Sequence, residues 1–126
     1  MSKQVIRTPN APNPVGPYNQ AIRAGNTLYV AGQGPIDPKT GQVVIGTIEE
    51  QATLTFENIK AILNAAGFSM NDVVKVTAYL TDLADFAKYN EIYKKYFTEP
   101  YPARATVGAQ LLMHTFIEVE CIAVKD

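Results

Sequence analysis

Apolar positions recur at two periods along the chain, and the switches between them outline the elements. Residues 19–24, a Gly25-Asn26 turn and Thr27-Leu28-Tyr29-Val30-Ala31-Gly32 carry the signature of a β-hairpin with a two-residue loop. Thr47-Ile48-Glu49-Glu50 has the capping-box pattern, in which the Thr47 hydroxyl accepts from the Glu50 amide while Glu50 reaches back. The helix it opens places Ala52, Phe56, Ile59 and Leu63 on one stripe and stops at Gly67. Residues 73–80 read as a strand. Asp82 then caps a second helix with Phe86, Tyr89, Tyr93 and Phe97 at helical spacing, stopped by Pro100 and Pro102. Residues 8–17, rich in proline and asparagine, are expected to be extended and irregular, with a possible edge strand near Val5 before them. A turn over residues 37–41 leads into the short apolar run Val43-Val44-Ile45.

The C-terminal quarter reads as an antiparallel hairpin, residues 102–109 and 115–123, with residues 110–114 as its loop. In that register Arg104 faces Glu120 and Thr106 faces Glu118. Ala103, Ala105, Val107 and Ala109 then share the other, apolar face with Ile117, Val119, Cys121 and Ala123. One face is core; the other gathers an arginine, a hydroxyl and two carboxylates.

The element order is β-β-α-β-α-β-β, an α+β pattern on a single domain spanning residues 1–126, without linker or low-complexity tract. Two helices cannot cover both faces of such a sheet, so they are expected to pack on one. The opposite face, mixing charge with Ile122 and Val124, predicts an oligomer with polar pockets near its interfaces.

Composition narrows the function. Of 126 residues, 47% are hydrophobic and 18% charged, and 11 basic against 12 acidic residues are spread without a basic block, so nucleic acid is an improbable partner. No apolar run approaches the roughly 20 residues of a membrane span, and Met1-Ser2-Lys3-Gln4-Val5 opens no signal-peptide core. A soluble, cytoplasmic protein is the expectation. Ser2 and Ser69 are the only serines, which disfavours a serine hydrolase. Cys121 reads as a buried small hydrophobe, and the sole histidine, His114, as a surface-loop residue. No His/Cys/carboxylate spacing recommends a metal site. Gly32-Gln33-Gly34 leads into Pro35 rather than a helix, which points to a tight bend or a close backbone approach instead of a dinucleotide loop. The tyrosines of the second helix read as core or interface.

Arg104, Thr106, Glu118, Glu120 and the tyrosines remain. A guanidinium grips a carboxylate bidentately and stays charged, and a neighbouring carboxylate can orient or deprotonate a water. A cross-strand Arg–Glu ion pair that merely stabilises the hairpin explains the same spacing, and both readings stand.

Five separated motifs then carry a resemblance. Gly16-Pro17-Tyr18-Asn19-Gln20-Ala21, Ala31-Gly32-Gln33-Gly34-Pro35, Asn90 with Tyr93 and Tyr96-Phe97, Pro102-Ala103-Arg104, and Ile117-Glu118-Val119-Glu120 follow in that order. Across essentially the whole chain they resemble the Rid (YjgF-type) family of reactive-intermediate deaminases. The resemblance implies a chorismate-mutase-like α+β fold, a mixed sheet with two helices on one face, assembled as a homotrimer with three intersubunit sites. It implies hydrolysis of 2-enamines and 2-imines such as 2-aminoacrylate and 2-iminobutanoate to 2-oxo acids and ammonia, with no metal or organic cofactor. By position, Arg104 would bind the substrate carboxylate and Glu120 would hold the attacking water. Tyr18, Ala31, Gly32, Asn90 and Thr106 would line the substrate site. Ala31 and Asn19 stand where the family commonly has serine, and Thr106 where it has cysteine, changes that bear on substrate preference. A non-catalytic trimer that binds small carboxylic acids is the alternative, with a ribonuclease or translation-inhibitor role behind it.

Overall fold

The computed structural model describes residues 2–126. Its strands are β1 (Gln4–Ile6), β2 (Ala21–Ala24), β3 (Thr27–Gln33), β4 (Val73–Leu80), β5 (Ala103–Gly108) and β6 (Ile117–Val124). The helices are α1 (Ile48–Ala65), between β3 and β4, and α2 (Phe86–Tyr96), between β4 and β5. They form an α+β domain on one mixed sheet of order β1-β2-β3-β6-β4-β5.

Local signals act where the sequence places them. Gly25 takes the left-handed conformation (φ 60°) and closes the β2–β3 hairpin, with Ala24 opposite Thr27. The capping box is complete: Thr47 Oγ1 accepts from the Glu50 amide at 3.1 Å, and the Thr47 amide donates to Glu50 Oε1 at 2.9 Å. At the other end Gly67 (φ 81°) reverses the chain while the Phe68 amide donates to the Leu63 carbonyl at 2.9 Å. Ala52, Phe56, Ile59 and Leu63 are fully buried, as the stripe predicts. Asp82 caps a short 3₁₀ turn, Leu83–Asp85, through the Ala84 amide at 2.9 Å, so α2 starts one turn later than the cap suggests.

The C-terminal hairpin does not form. β4 lies between β5 and β6, running parallel to β5 and antiparallel to β6. The connection β4–α2–β5 is a strand–helix–strand crossover, which produces parallel neighbours. β6 takes the interior place between β3 and β4 because Ile117, Val119, Cys121 and Ala123 all need cover, and each is at most 3% exposed.

Register then sets the faces. Val76 pairs with Arg104 and Ala78 with Thr106, while Thr77 pairs with Glu120 and Tyr79 with Glu118. Val76 and Ala78 are fully buried under the helices. Arg104 and Thr106 therefore point toward the helical layer, and Glu118 and Glu120 point toward the open side. The expected facing of Arg104 by Glu120 is overturned: they sit two strands apart on opposite faces. The open face also shows Val5, Tyr29, Val107 and Val124, each at least 38% exposed.

Three buried amides fix the loops around this frame. The Gln20 side chain accepts from the Thr8 amide at 2.8 Å and donates to the carbonyls of Thr8, Ala11 and Pro12 at 3.0, 3.2 and 2.9 Å. Asn58 donates to the carbonyls of Gly34 and Ile36 at 3.1 and 2.9 Å, and Gln51 accepts from the Phe116 amide at 2.8 Å. Buried amides with several partners rigidify irregular backbone that has no ladder of its own.

Candidate functional site

β5 is an edge strand, and its Arg104 side chain extends under α2. The guanidinium lies 4.5 Å from the ring centroid of Tyr93, 5.5 Å from that of Phe86 and 5.7 Å from that of Tyr89. The three rings come from one stripe of α2 (i, i+3, i+7), so one helix face presents a π cradle to the cation. Arg104 Nη1 donates to Asn90 Oδ1 at 2.8 Å. Among the described residues Arg104 has no carboxylate partner, the single ion pair being Lys94 with Glu91. The rings hold the guanidinium without neutralising it.

A cleft of about 400 Å³ opens beside this cation, lined by Asn90, Tyr93, Lys94, Tyr101, Pro102 and Arg104. Beside the guanidinium the hydroxyls of Tyr89, Tyr93 and Thr106 are buried without a hydrogen-bond partner, and of the three residues Tyr93 lines the cleft. The Tyr89 hydroxyl lies near Thr106 and Arg104 but meets hydrogen-bond geometry with neither. Burial raises the pKa of both tyrosines, that of Tyr93 to about 12, so both stay protonated. Orphaned buried hydroxyls are costly, and clustered at a cation they form a polar seat.

A second group gathers around β3. Tyr18, half-exposed, lines a cleft of about 280 Å³ together with Gly32, Gln33, Gly34 and Met113. Ala31 donates its amide to the Gln20 carbonyl at 2.9 Å, and the β3–β6 register slips between Val30 and Gln33. At this irregularity the Glu118 side chain lies directly on Gly32: a Cβ built there would stand 2.6 Å from Glu118 Oε2. Burial, then the neighbouring Glu120 charge, raises the pKa of Glu118. Glu120 is exposed and accepts from the Tyr79 hydroxyl at 2.8 Å, which raises the tyrosine's pKa and keeps it a donor.

The structure thus brings Arg104, Asn90 and Thr106 together, and separately groups Tyr18, Ala31 and Gly32 with Glu118. Three inter-strand spacings, about 14 Å, separate β3 from β5. Sequence reasoning missed the role of Tyr89 and Tyr93 beneath the guanidinium and the contact of Glu118 with Gly32. The spacing of the α2 aromatics just before the Arg104 strand was a signal for the first; only the irregular β3–β6 pairing reveals the second. Among the described residues no three His, Cys, Asp or Glu side chains cluster to hold a metal ion, and no helix is long and apolar enough to cross a membrane. Cys121 is buried with its thiol pKa pushed up to about 12, chiefly by burial.

The five motifs occupy these two groups and the strands between them. A family model described as Endoribonuclease L-PSP matches residues 8–125. The chain belongs to this family. It is the Rid (YjgF-type) family of the sequence resemblance. A RutC family protein of Pyrococcus horikoshii is 58% identical over 125 residues, covering 98% of this chain and 99% of the relative. A 2-iminobutanoate/2-iminopropanoate deaminase of Dermatophagoides farinae is 43% identical and covers 98% of each chain. The crystal structure of Escherichia coli TdcF with bound serine superposes with a TM-score of 0.92 at 41% identity, covering 98% of this chain and 99% of that one. The α+β fold of this Rid-family chain matches that of its solved relatives.

Proposed function

We propose that this Rid-family protein hydrolyses 2-imino acids and their 2-enamine tautomers to 2-oxo acids and ammonia. 2-Iminobutanoate and 2-aminoacrylate are its small substrates. The observation that carries the reading is a cleft-lining Arg104 held by rings and Asn90, with no acid to neutralise it. A 2-imino acid offers a carboxylate to that guanidinium, and the Thr106 and Tyr93 hydroxyls suit the same anion. The serine bound to TdcF and the deaminase name of the mite relative agree with this substrate class.

The chemistry asks little more of the protein. Water adds to the electrophilic C2, and its oxygen forms the new bond while a proton passes to nitrogen. The amino nitrogen of the carbinolamine then takes up a proton while the hydroxyl gives one up, so that the C=O bond forms as the C–N bond breaks and ammonia leaves. Glu118 suits the proton transfers better than Glu120, since its raised pKa brings it nearer to sharing a proton and Gly32 holds it in place. Glu120, exposed and engaged with Tyr79, is the weaker candidate.

Arg104 and Glu118 cannot meet within one chain, so a second copy supplies Tyr18, Ala31, Gly32 and Glu118 to the Arg104 cleft. The mixed apolar and acidic open face of the sheet fits such contact, and a homotrimer closes it three times. The test couples the protein to a threonine dehydratase and follows 2-oxobutanoate appearance. Arg104→Ala should lose most activity, about 100-fold or more in kcat/KM, as a bidentate charge-assisted contact disappears. Mixing inactive Arg104→Ala and Glu118→Gln chains should restore activity by regenerating intact shared sites. Acceleration undiminished in Arg104→Ala would refute the anchor, and tight 2-oxo acid binding without turnover would replace catalysis by a binding role.

A further inference from the structure

Met113 sits in the left-handed region (φ 62°, ψ 18°), a conformation that is unfavourable for its side chain and persists only where the surroundings fix it. Here both ends of its loop are fixed to the close of β4. The Ala109 amide donates to the Leu80 carbonyl at 3.0 Å and the Thr81 amide to the Phe116 carbonyl at 3.0 Å. Thr81 Oγ1 donates to the Thr115 carbonyl at 2.7 Å. The loop thereby holds Met113 against the cleft of about 280 Å³ that Tyr18 and Gly32 line. Val15, Tyr18, Ile36 and Met113 give this cleft apolar walls, and the exposed Lys39 is its one charged side chain among the described residues. Met113 is 48% exposed, so apolar surface on this wall still meets water and gains by being covered.

We infer that Met113 is a specificity-determining residue that packs on the alkyl side chain of the substrate, so that affinity grows with the length of an apolar chain. This rests on the reading of Arg104 as the carboxylate anchor and of Glu118 from a second copy as the proton-transfer group. Gly32 links Glu118 to Met113 within one chain: Glu118 packs on it, and it lines the Met113 cleft. C2 of a 2-imino acid is a trigonal carbon that carries the carboxylate and the side chain in different directions. With the carboxylate on Arg104 and C2 at Glu118, the alkyl group leaves away from the cation, past Gly32 and into the apolar cleft. Methionine is unbranched and adaptable, which suits it to chains of different length. The substrate stays a monoanion throughout, and its uncharged end is what Met113 reads.

Calorimetry on the full-length protein tests this with pyruvate, 2-oxobutanoate, 2-oxopentanoate and 2-oxohexanoate, which share the 2-oxo carboxylate and differ by single methylenes. Wild-type affinity should rise about two- to four-fold for each added methylene, the upper figure corresponding to full burial. Met113→Ala keeps a Cβ and so leaves the backbone strain as it was. It should flatten the series while pyruvate binding stays within about two-fold of wild type. Met113→Leu, which returns an apolar chain, should restore most of the slope. A flat series in wild type, a slope that survives Met113→Ala, or an equal loss for all four acids overturns the inference while leaving the Arg104 anchor standing. Binding of none of the acids, or binding indifferent to Arg104→Ala, takes down the anchor and the inference with it.

Discussion

Gly32→Ala isolates the carboxylate that sequence reasoning passed over. Gly32 sits where the β3 register slips, and Glu118 packs on its Cα. The added methyl would stand 2.6 Å from Glu118 Oε2 and 2.9 Å from its Cδ, against an ordinary contact of 3.4 Å or more. Restoring that distance pushes the carboxylate back by about 0.8 Å. Gly32 is not among the glycines at positive φ, so alanine brings no backbone strain. The displaced group is the end of a flexible side chain, so the stability cost should stay below about 1 kcal/mol. Catalysis is far less forgiving: misplacing a reacting group by about 1 Å costs up to about 100-fold, or about 2.7 kcal/mol of barrier. In the coupled 2-oxobutanoate assay kcat should fall about 10- to 100-fold. KM should stay within about three-fold because Arg104 is untouched. A thermal melt run alongside should move by less than about 4 °C. A kcat within two-fold of wild type would remove Glu118 from the chemistry; a collapsed melt would mean that the contact supports the fold instead.

Thr47→Ala removes one half of the capping box and should cost about 1 kcal/mol, lowering Tm by about 3–5 °C without altering KM. Glu118 has a folded pKa raised above its unfolded value. Its contribution to stability is thus fully present below the ordinary carboxylate range and is lost as pH rises through the folded pKa. Glu118→Gln should therefore gain relative stability between about pH 4 and neutrality, read as urea midpoints at several pH values; parallel pH curves for the two proteins contradict the shift. Cys121, buried and with its thiol pKa at about 12, should resist iodoacetamide at pH 8 in the native protein and react promptly in urea. Rapid native-state labelling would mean that the β6 face opens.

Much of the fold was legible because its signals are local. The Thr47–Glu50 box, the left-handed Gly25 and Gly67, and the α1 stripe act through neighbours within a turn or two, so composition and spacing suffice. Asn90 and Arg104 were both identified as site residues, and they meet at 2.8 Å. The pairing of β5 with β6 was misread because alternation shows which residues share a face of one strand but not which strand lies beside it. The β4–α2–β5 order carried a usable signal, since a helix between two strands favours a parallel crossover over a later hairpin.

The sequence alone determined the elements, the family and the presence of an arginine suited to an anion. Tertiary structure decided what that arginine touches. With β4 seated between β5 and β6, Arg104 turned under α2 onto three aromatic rings, and Glu118 and Glu120 turned to the opposite side. Which of the two acids meets Gly32 also depended on a register slip between β3 and β6, where Gln33 pairs with Val119, 86 residues further along the chain. Side-chain period follows from covalent geometry, whereas strand order follows from which apolar faces must be covered on both sides, and that is a property of the whole chain.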